Sequence, residues 1–506
     1  MICLSEMFED HMVLQWGRPA PVWGVSDREG EYVTVAANGR EAAARVKDGR
    51  FCAYLPALPP GGPFHLRAEC GDDRVELTDV LAGEVWLAGG QSNMEMPLFA
   101  AQGAKAYLEN TSFLGLRLKT VSRRSMSLEG REFGFHFIPE SSDEMPWERA
   151  DARSAAQFSA IGCVAGQKLR EALGIPVGVI SCNYGATQVQ PWVSPETLES
   201  SPAFQGDEDR FARRQAQLGE AARTSWEVFQ HELEQSLGGR DAFVKKSLDD
   251  PLYYVNADAE LHWPPEYALG DQNKPGCLYR CMLSRVVPFA VRGVWWYQGE
   301  SSAGEENCER YQAQMEAMID DWRGAFANDS LAFVQAQLAP YDTSRRRDPC
   351  DWASIRQAQL NVCHTRNHVY LTNLTGIGEN RNIHPRFKIE AGLRMACTTL
   401  ANVYHVPAPE APQARLALRE GMRLRVLFDH GEGLRLDHAP LQLETGDGRR
   451  FSPAESWRID GDSLLVDTQD RFVRYGWHCM PEDALKNRYG LGATPFCMEE
   501  ETGNEI

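Results

Sequence analysis

The first part of the chain has the hydrophobic pattern of short β-strands. Apolar runs alternate with gaps that contain glycine and proline, and no helical period appears between them. The runs occur at residues 12–15, 21–24, 32–36, 50–55 and 64–68. Short strands separated by turn residues at this spacing are typical of small antiparallel β-domains. The pattern therefore predicts a β-sandwich-like domain over residues 1–78.

After residue 80, apolar strands begin to alternate with amphipathic helices. This alternation predicts an α/β domain, in which a parallel sheet carries helices on its faces. The most distinct helix signal is Ser154-Ala-Ala-Gln157, a capping-box arrangement that precedes a periodic apolar run. The predicted strands are residues 85–88, 176–182, 290–297, 331–335 and 368–373, and the later helices lie near residues 311–322, 355–359 and 386–403.

Two other segments depart from this alternation. Residues 205–250 are highly charged and sparsely apolar, and we expect them to form an inserted helical hairpin on the surface. The proline-rich stretch Pro407-Ala-Pro-Glu-Ala-Pro412 has the composition of a linker. Strands are predicted again beyond it, at residues 424–428, 441–444 and 463–467. The predicted organisation is thus a β-domain (1–78), an α/β domain with the insert (79–404) and a C-terminal β-rich domain (405–506).

Composition disfavours several classes of function. The 506 residues include 52 basic and 71 acidic side chains, a net charge of −19. That charge disfavours binding to nucleic acid or to an anionic membrane surface, and no segment is long and apolar enough to span a bilayer. The first ten residues lack the basic and apolar regions of a signal peptide, so a cytoplasmic location is expected. The oligomeric state stays open.

The cysteines do not form a recognisable framework. Thirteen are scattered singly along the chain without a CxxC pair. Such an odd, dispersed set is typical of reduced core residues and predicts neither disulfides nor a zinc site. We therefore expect no metal and no cofactor.

The stretch around Ser92 is the strongest candidate for chemistry. An apolar strand ends at Gly89 and Gly90, which permit a tight turn and leave Ser92 at the carboxyl end of the strand. Open α/β sheets bind their ligands at that edge. The stretch lacks the second glycine of the G-x-S-x-G nucleophile elbow. Taken alone, the stretch is more simply interpreted as an ordinary polar turn.

Three further loops offer the other parts of a serine hydrolase. A serine needs a base to take its proton and donors to stabilise the oxyanion. Gly185 follows one strand, Gln298 and Glu300 follow the next, and His384 precedes the last helix. Each is individually explained as a turn glycine, a strand-end polar residue or a solvated histidine. Their arrival in order at one predicted sheet edge favours an enzyme.

Several motifs resemble a known family. Gly90-Gln-Ser-Asn-Met94, Trp296-Tyr-Gln-Gly-Glu-Ser301 and Ile383-His-Pro385 are similar to those of the SGNH hydrolases that include the sialate O-acetylesterases and related carbohydrate acetylesterases. The likeness extends along nearly the whole chain outside residues 205–250. It implies a flavodoxin-like three-layer sandwich flanked by β-rich domains, and hydrolysis of sugar O-acetyl esters without metal.

The resemblance also implies roles for individual residues. Ser92 would be the nucleophile and His384 the base. The backbone N–H groups of Ser92 and Gly185, with the side-chain amide of Gln298, would form the oxyanion hole. Two tryptophans near the expected site would either stack on a sugar ring or pack the sheet: Trp192 and Trp296.

This chain departs from the family pattern beside the histidine. Relatives commonly have Gly-Asp-Pro-Asn-Asp-Ile-His-Pro, whereas this sequence has Gly378-Glu-Asn-Arg-Asn-Ile-His-Pro385. The carboxylate two places before the histidine is therefore replaced by Asn382, although such an acid normally orients the base and stabilises its charged form. Either a Ser–His dyad operates, or Glu379 or Glu300 supplies the acid, or activity is low. We favour a dyad supported by Glu300.

Three functions are consistent with these residues. The first is a sialate O-acetylesterase-like enzyme acting on a small acetylated sugar through an acetyl-serine intermediate. The second is a deacetylase of acetylxylan or another plant polysaccharide. The third is a carbohydrate-binding protein that has lost catalysis, which the retained serine, glycine, glutamine and histidine disfavour.

Overall fold

The computed structural model describes residues 1–123, 125–126, 132–133, 145–217, 240–250, 272–304, 308–344, 351–438 and 441–501. The chain divides into two compact units. The first comprises Met1–Gln298 and Gln314–Phe333, and the second comprises Gly299–Ala313 and Val334–Ile506. The architecture is mixed α/β with additional β-rich regions. The three-domain division and the flavodoxin-like layering stay predictions.

The N-terminal region of the first unit is β-rich, and each predicted strand is present. One antiparallel sheet contains the strands Ile2–Leu4, Ala20–Ser26 and Arg50–Leu55 in that order. Tyr32–Ala37 pairs antiparallel with two further strands, Arg40–Arg45 and Gly61–Cys70. Val13–Gln15 instead runs parallel to the strand Asp73–Gly90.

The strand Asp73–Gly90 links the N-terminal β region to the parallel sheet. Its first seven residues alternate in burial and pair antiparallel with Gly61–Cys70, while every residue from Val80 onward is buried. Alternation suits a sheet with one solvated face, and a continuous apolar run suits a strand covered on both faces. The change of hydrophobic pattern predicted at residue 80 therefore occurs within one continuous strand, across the proposed boundary at residues 78 and 79.

Three of the parallel strands in the first unit end level with one another. Four neighbouring strands pair in parallel, in the order Leu116–Thr120, Val177–Asn183, Asp73–Gly90 and Gly293–Tyr297. Asn183 and Tyr297 are both in register with Gly90. Met145–Arg149 pairs antiparallel with Leu116–Thr120. The three chain segments that leave the sheet after residues 90, 183 and 297 therefore start at a common edge.

The helix predicted from residue 154 onward is instead two helices. The first, Ala152–Gln157, is capped by Asp151, whose side chain accepts the N–H of Ser154 at 2.8 Å. Ser154 is therefore the third helical residue, not the cap. The first helix ends at Phe158, and Ser159 caps the second helix, Ala160–Leu173. Two capping side chains so close together divide the periodic run.

The remaining helices have the following bounds. The α-helices are Ser92–Glu95, Ala104–Asn110, Pro195–Ser200, Arg240–Asp249, Ser284–Val286, Tyr311–Ala325, Asp351–Thr365 and Lys388–Val403. Short 3-10 helices are Leu98–Ala100, Gln190–Trp192, Pro202–Phe204, Glu300–Ser302 and Cys308–Arg310, and Tyr279–Leu283 is a π-helix. Within the predicted insert, residues 207–217 and Arg240–Asp249 are helical. Residues 218–239 of the predicted hairpin lie outside the described residues.

The C-terminal region of the second unit is β-rich, as the sequence predicts. Two antiparallel sheets share a core that includes Val426, Leu464, Tyr475 and Phe496. The first sheet contains Gln413–Glu420, Arg423–Asp429, Ser463–Asp467 and Trp457–Asp460, and the second contains Phe451–Pro453, Leu443–Gly446, Phe472–Tyr475 and Phe496–Glu499. The other strands are Ser125–Met126, Glu132–Phe133, Ala332–Ala336, Val369–Thr372, Arg435–Leu436 and Leu485–Lys486.

Candidate active site

The turn that carries Ser92 depends on Gly90. Gly90 has a φ of +128°, and a Cβ built on it would lie 2.1 Å from the carbonyl oxygen of Tyr297. The N–H of Gln91 donates to that same oxygen at 2.9 Å. Ser92, which is half-buried, then begins the helix Ser92–Glu95. Only glycine combines this backbone conformation with such a close approach between chains, so the turn predicted from the paired glycines is confirmed.

The loop that follows Asn183 packs directly on this turn. The N–H of Tyr184 donates to the carbonyl of Gly90 at 3.0 Å. A Cβ built on Gly185 would lie 3.5 Å from the Cβ of Ser92 and 3.2 Å from Oε2 of Glu95. The structure therefore places Gly185 beside Ser92, as expected for two members of one site.

The N–H of Gly185 already has a strong acceptor. It donates to Oε2 of Glu95 at 2.7 Å, a charge-assisted hydrogen bond. Glu95 and Arg123 are both largely buried, and Oε1 of Glu95 lies 3.5 Å from Nε of Arg123. Arg123 in turn donates to the carbonyl and side-chain oxygens of Asn183, at 3.3 Å and 3.2 Å. A carboxylate thus occupies the donor that the resemblance assigns to the oxyanion hole.

Gln298 adjoins the same loop. Its side chain is fully buried, and Nε2 donates to the carbonyl of Thr187 at 3.1 Å. The hydroxyl of Thr187 donates to the carbonyl of Tyr184 at 2.8 Å. Asn273, which is also buried, supports the loop, because its amide donates to the carbonyl of Ala186 at 2.8 Å. Ser92, Gly185 and Gln298 are therefore gathered around residues 184–188.

Of the two interpretations of Trp192 and Trp296, the structure favours packing in the sheet over stacking on a sugar. Both side chains are fully buried, and their rings meet edge to face at 6.0 Å. Trp296 makes a second edge-to-face contact with Trp322 at 5.5 Å, and Nε1 of Trp192 donates to the hydroxyl of Thr187. An enclosed ring has no face for a sugar. The alternative interpretation, that these tryptophans pack the sheet, describes them.

His384 belongs to the second unit, and a local hydrogen-bond network shapes its loop. The side-chain oxygen of Asn382 accepts the backbone N–H of His384 at 3.0 Å, and its amide donates to Glu379 at 3.0 Å. Glu379 is also paired with Arg386 at 2.6 Å. Burial raises the pKa of Glu379, but the hydrogen bonds and charge of Arg386 outweigh it and leave that pKa below its usual value. Asn382 and Glu379 thus organise the backbone around the histidine.

A buried lysine donates a hydrogen bond to the backbone of the same loop. Lys388 is 1% exposed, and its Nζ donates to the carbonyl of Pro385 at 2.7 Å. Burial lowers the pKa of Lys388 to about 7, although the charges of Glu300 and Glu379 oppose that shift. Glu300, the predicted supporting acid, is 3% exposed in the short helix Glu300–Ser302.

Four of these residues are absent from the predicted site: Glu95, Arg123, Asn273 and Lys388. Glu95 lies three positions after Ser92. Residues at this spacing share one face of a helix, so the sequence does contain a signal for Glu95. Arg123, Asn273 and Lys388 meet their partners through the tertiary fold, and the local sequence pattern gives no signal for them.

The described parts of the chain show no group of three or more histidine, cysteine, aspartate or glutamate side chains suited to a metal ion. Within the same parts, no helix has the length and apolar content needed to cross a bilayer. Several cysteines are buried free thiols, and burial raises the pKa of Cys163 and Cys182 to about 12.

Comparisons with known proteins agree with the motifs. Residues 263–401 match a family model described as carbohydrate esterase, sialic acid-specific acetylesterase. A solved carbohydrate acetylesterase from Xanthomonas citri is 26% identical, covers 99% of this chain and 100% of its own, and superposes with a TM-score of 0.75. The predicted resemblance to the carbohydrate acetylesterase family is confirmed.

Curated sialate O-acetylesterases match a shorter part of the chain. The sialate O-acetylesterase of Mus musculus is 25% identical over 338 residues, which cover 64% of this chain and 56% of that protein. The enzyme of Homo sapiens is 22% identical over 327 residues, or 62% and 50% of the two chains. The chain spans about half the length of these relatives.

Proposed function

We propose that this protein is a serine esterase that removes O-acetyl groups from sugars, most closely in the manner of a sialate O-acetylesterase. One observation carries the proposal: the level strand ends at Gly90, Asn183 and Tyr297 deliver Ser92, Gly185 and Gln298 to one edge of the sheet. These are the residue types that acyl transfer requires. The match to carbohydrate acetylesterases supports the acetylated carbohydrate as the substrate class.

The reaction proceeds in two halves. The hydroxyl of Ser92 attacks the acetyl carbonyl while His384 takes its proton, and the collapse of the tetrahedral intermediate releases the sugar alcohol, which receives that proton. Water, deprotonated by His384, then attacks the acetyl-serine, and acetate leaves as Ser92 regains its proton. The N–H groups of Ser92 and Gly185 and the amide of Gln298 stabilise both oxyanions.

The base works without a carboxylate two places before it. Asn382 fixes the backbone of His384 through its side-chain oxygen, and Glu379 is neutralised by Arg386. These contacts argue against Glu379 as the third member of a triad. We assign His384 to a dyad with Ser92, and Glu300 to a supporting role through its negative charge.

An acetate-release assay tests the proposal. O-acetylated sialic acids and acetylated xylo-oligosaccharides are offered to the wild type and to Ser92→Ala. We expect release from the sialic acids and none from the variant. Preferential release of acetate from the xylo-oligosaccharides would favour the plant-polysaccharide deacetylase. Sugar binding with neither acetate release nor labelling of Ser92 by a fluorophosphonate would favour the non-catalytic protein.

A further inference from the structure

Glu95 sits where the proposed reaction needs an open donor. Its Oε2 accepts the N–H of Gly185 at 2.7 Å. An effective oxyanion donor must lie within about 2.7–3.1 Å of the developing negative charge. Glu95 and the oxyanion would therefore compete for one N–H, and both would be negative. The proposed chemistry cannot use Gly185 while Glu95 stays in this position.

Arg123 offers the carboxylate another position. Its Nε is 3.5 Å from Oε1 of Glu95, longer than a direct hydrogen bond, and both side chains are largely buried. The guanidinium is held by two hydrogen bonds to Asn183, at the end of the adjacent strand. The two groups already form an ion pair at this distance, and a rotation of the Glu95 side chain towards the guanidinium would shorten it to a direct hydrogen bond. The second partner is thus fixed in place before any ligand arrives.

We propose that Glu95 is a positioning residue that works as a two-position latch on the oxyanion hole. In the resting state it covers the N–H of Gly185. When an acetyl ester binds, Glu95 moves to Arg123, and the N–H turns to the ester oxygen. The inference rests on the proposed function, because the oxyanion hole itself belongs to that proposal.

The latch predicts an unusual gain of activity. Glu95→Gln replaces the charged acceptor with a neutral and weaker one that also does not repel the oxyanion. We expect kcat for p-nitrophenyl acetate to rise about tenfold, which corresponds to the difference between charged and neutral hydrogen bonds. KM should change little. Glu199→Gln, on the exposed face of the helix Pro195–Ser200, is the matched control and should leave the rate unchanged.

Arg123 provides a sharper test through a double-mutant cycle. Arg123→Met removes the second position, so Glu95 stays on Gly185, and we expect kcat to fall about tenfold. In the Glu95→Gln background, the same substitution should change kcat less than about twofold, because no charged latch remains to be held. Thermal unfolding verifies that each variant is folded. If Glu95→Gln fails to fold, Glu95→Asp withdraws the carboxylate by one methylene and should also raise kcat.

The outcomes separate the two proposals. A fall in kcat for Glu95→Gln, with an equal loss from Arg123→Met in both backgrounds, would overturn the latch and leave Glu95 a structural support of the loop. A wild type that does not hydrolyse acetyl esters, or whose activity survives Ser92→Ala, would instead overturn the proposed function.

Discussion

The side-chain oxygen of Asn382 accepts the backbone N–H of His384 at 3.0 Å, while its amide donates to Oε2 of Glu379 at 3.0 Å. In the family pattern a carboxylate stands at this position beside the base. Here both ends of the amide are used to hold the loop. The residue that departs from the pattern is thus a structural part of the loop that carries His384.

Asn382→Asp is therefore expected to lower the stability of the folded protein. The new carboxylate keeps the acceptor for His384 but loses the donor to Glu379 and faces its negative charge. We expect a loss of about 1–3 kcal/mol in the free energy of unfolding at pH 7, measured by urea denaturation. The loss should shrink in acid, as the carboxylates become protonated. Asn380→Asp, the same change at an exposed position, is the control. A large gain in kcat without loss of stability would contradict this account.

The close approach of Gly90 to Tyr297 makes a second prediction. Gly90→Ala places a Cβ 2.1 Å from a backbone oxygen at a φ of +128°. We expect loss of folding, or at least about 3 kcal/mol of destabilisation together with loss of activity. Gly174→Ala separates the two causes, because Gly174 also has a positive φ, of +68°, but has open space around its Cβ. It should cost only about 1 kcal/mol. Equal costs at the two positions would contradict the packing argument.

Lys388 gives the stability of the protein a pH dependence. Its pKa is about 7 in the folded chain and has an ordinary value of 10.5. Between these values the unfolded chain binds a proton that the folded chain lacks, so the free energy of unfolding gains a component that rises with pH. Within that window the slope is about 1.4 kcal/mol per pH unit. Below pH 7 burial of the charge costs most.

Two variants isolate that component. Lys388→Met has no amine that titrates. The free energy of unfolding of this variant, relative to that of the wild type, should therefore be greatest below pH 7 and decline as the pH rises towards 10.5. Lys388→Arg stays charged and should be less stable than the wild type in alkali. Urea denaturation at several pH values measures both. A constant difference between Lys388→Met and the wild type would show that Lys388 remains charged in the folded protein.

Trp296 distinguishes packing from sugar binding. Its ring is enclosed between Trp192 and Trp322. Trp296→Phe should therefore lower the free energy of unfolding by about 1–3 kcal/mol and leave KM for an acetylated sugar unchanged. Steady-state kinetics and denaturation of the same preparation measure the two quantities. A raised KM at unchanged stability would restore the stacking interpretation.

The apolar pattern predicts the strands and the serine turn because both are local properties. The buried run that ends at Gly89 and Gly90 specifies a strand and its end, and parallel pairing then aligns that end with Asn183 and Tyr297. The ends of the neighbouring predicted strands likewise indicate Gly185 and Gln298 as candidates.

The remaining features depend on contacts between distant parts of the chain. Glu95 meets Gly185 ninety positions away, and Lys388 is buried by the tertiary fold. The enclosure of Trp192 and Trp296 likewise results from packing, which residue type alone does not reveal. The division of one predicted helix at Phe158 follows from two caps, at Asp151 and Ser159, that periodicity does not distinguish from helical residues.

In the proposed reaction, Ser92 carries the acetyl group. The most direct measurement is mass spectrometry of the protein after reaction with a fluorophosphonate, alongside acetate release by the same sample. We predict one phosphonyl adduct on Ser92, parallel loss of acetate release, and neither adduct nor release with Ser92→Ala. An adduct on another residue, or acetate release that persists after Ser92 is modified, would contradict the account.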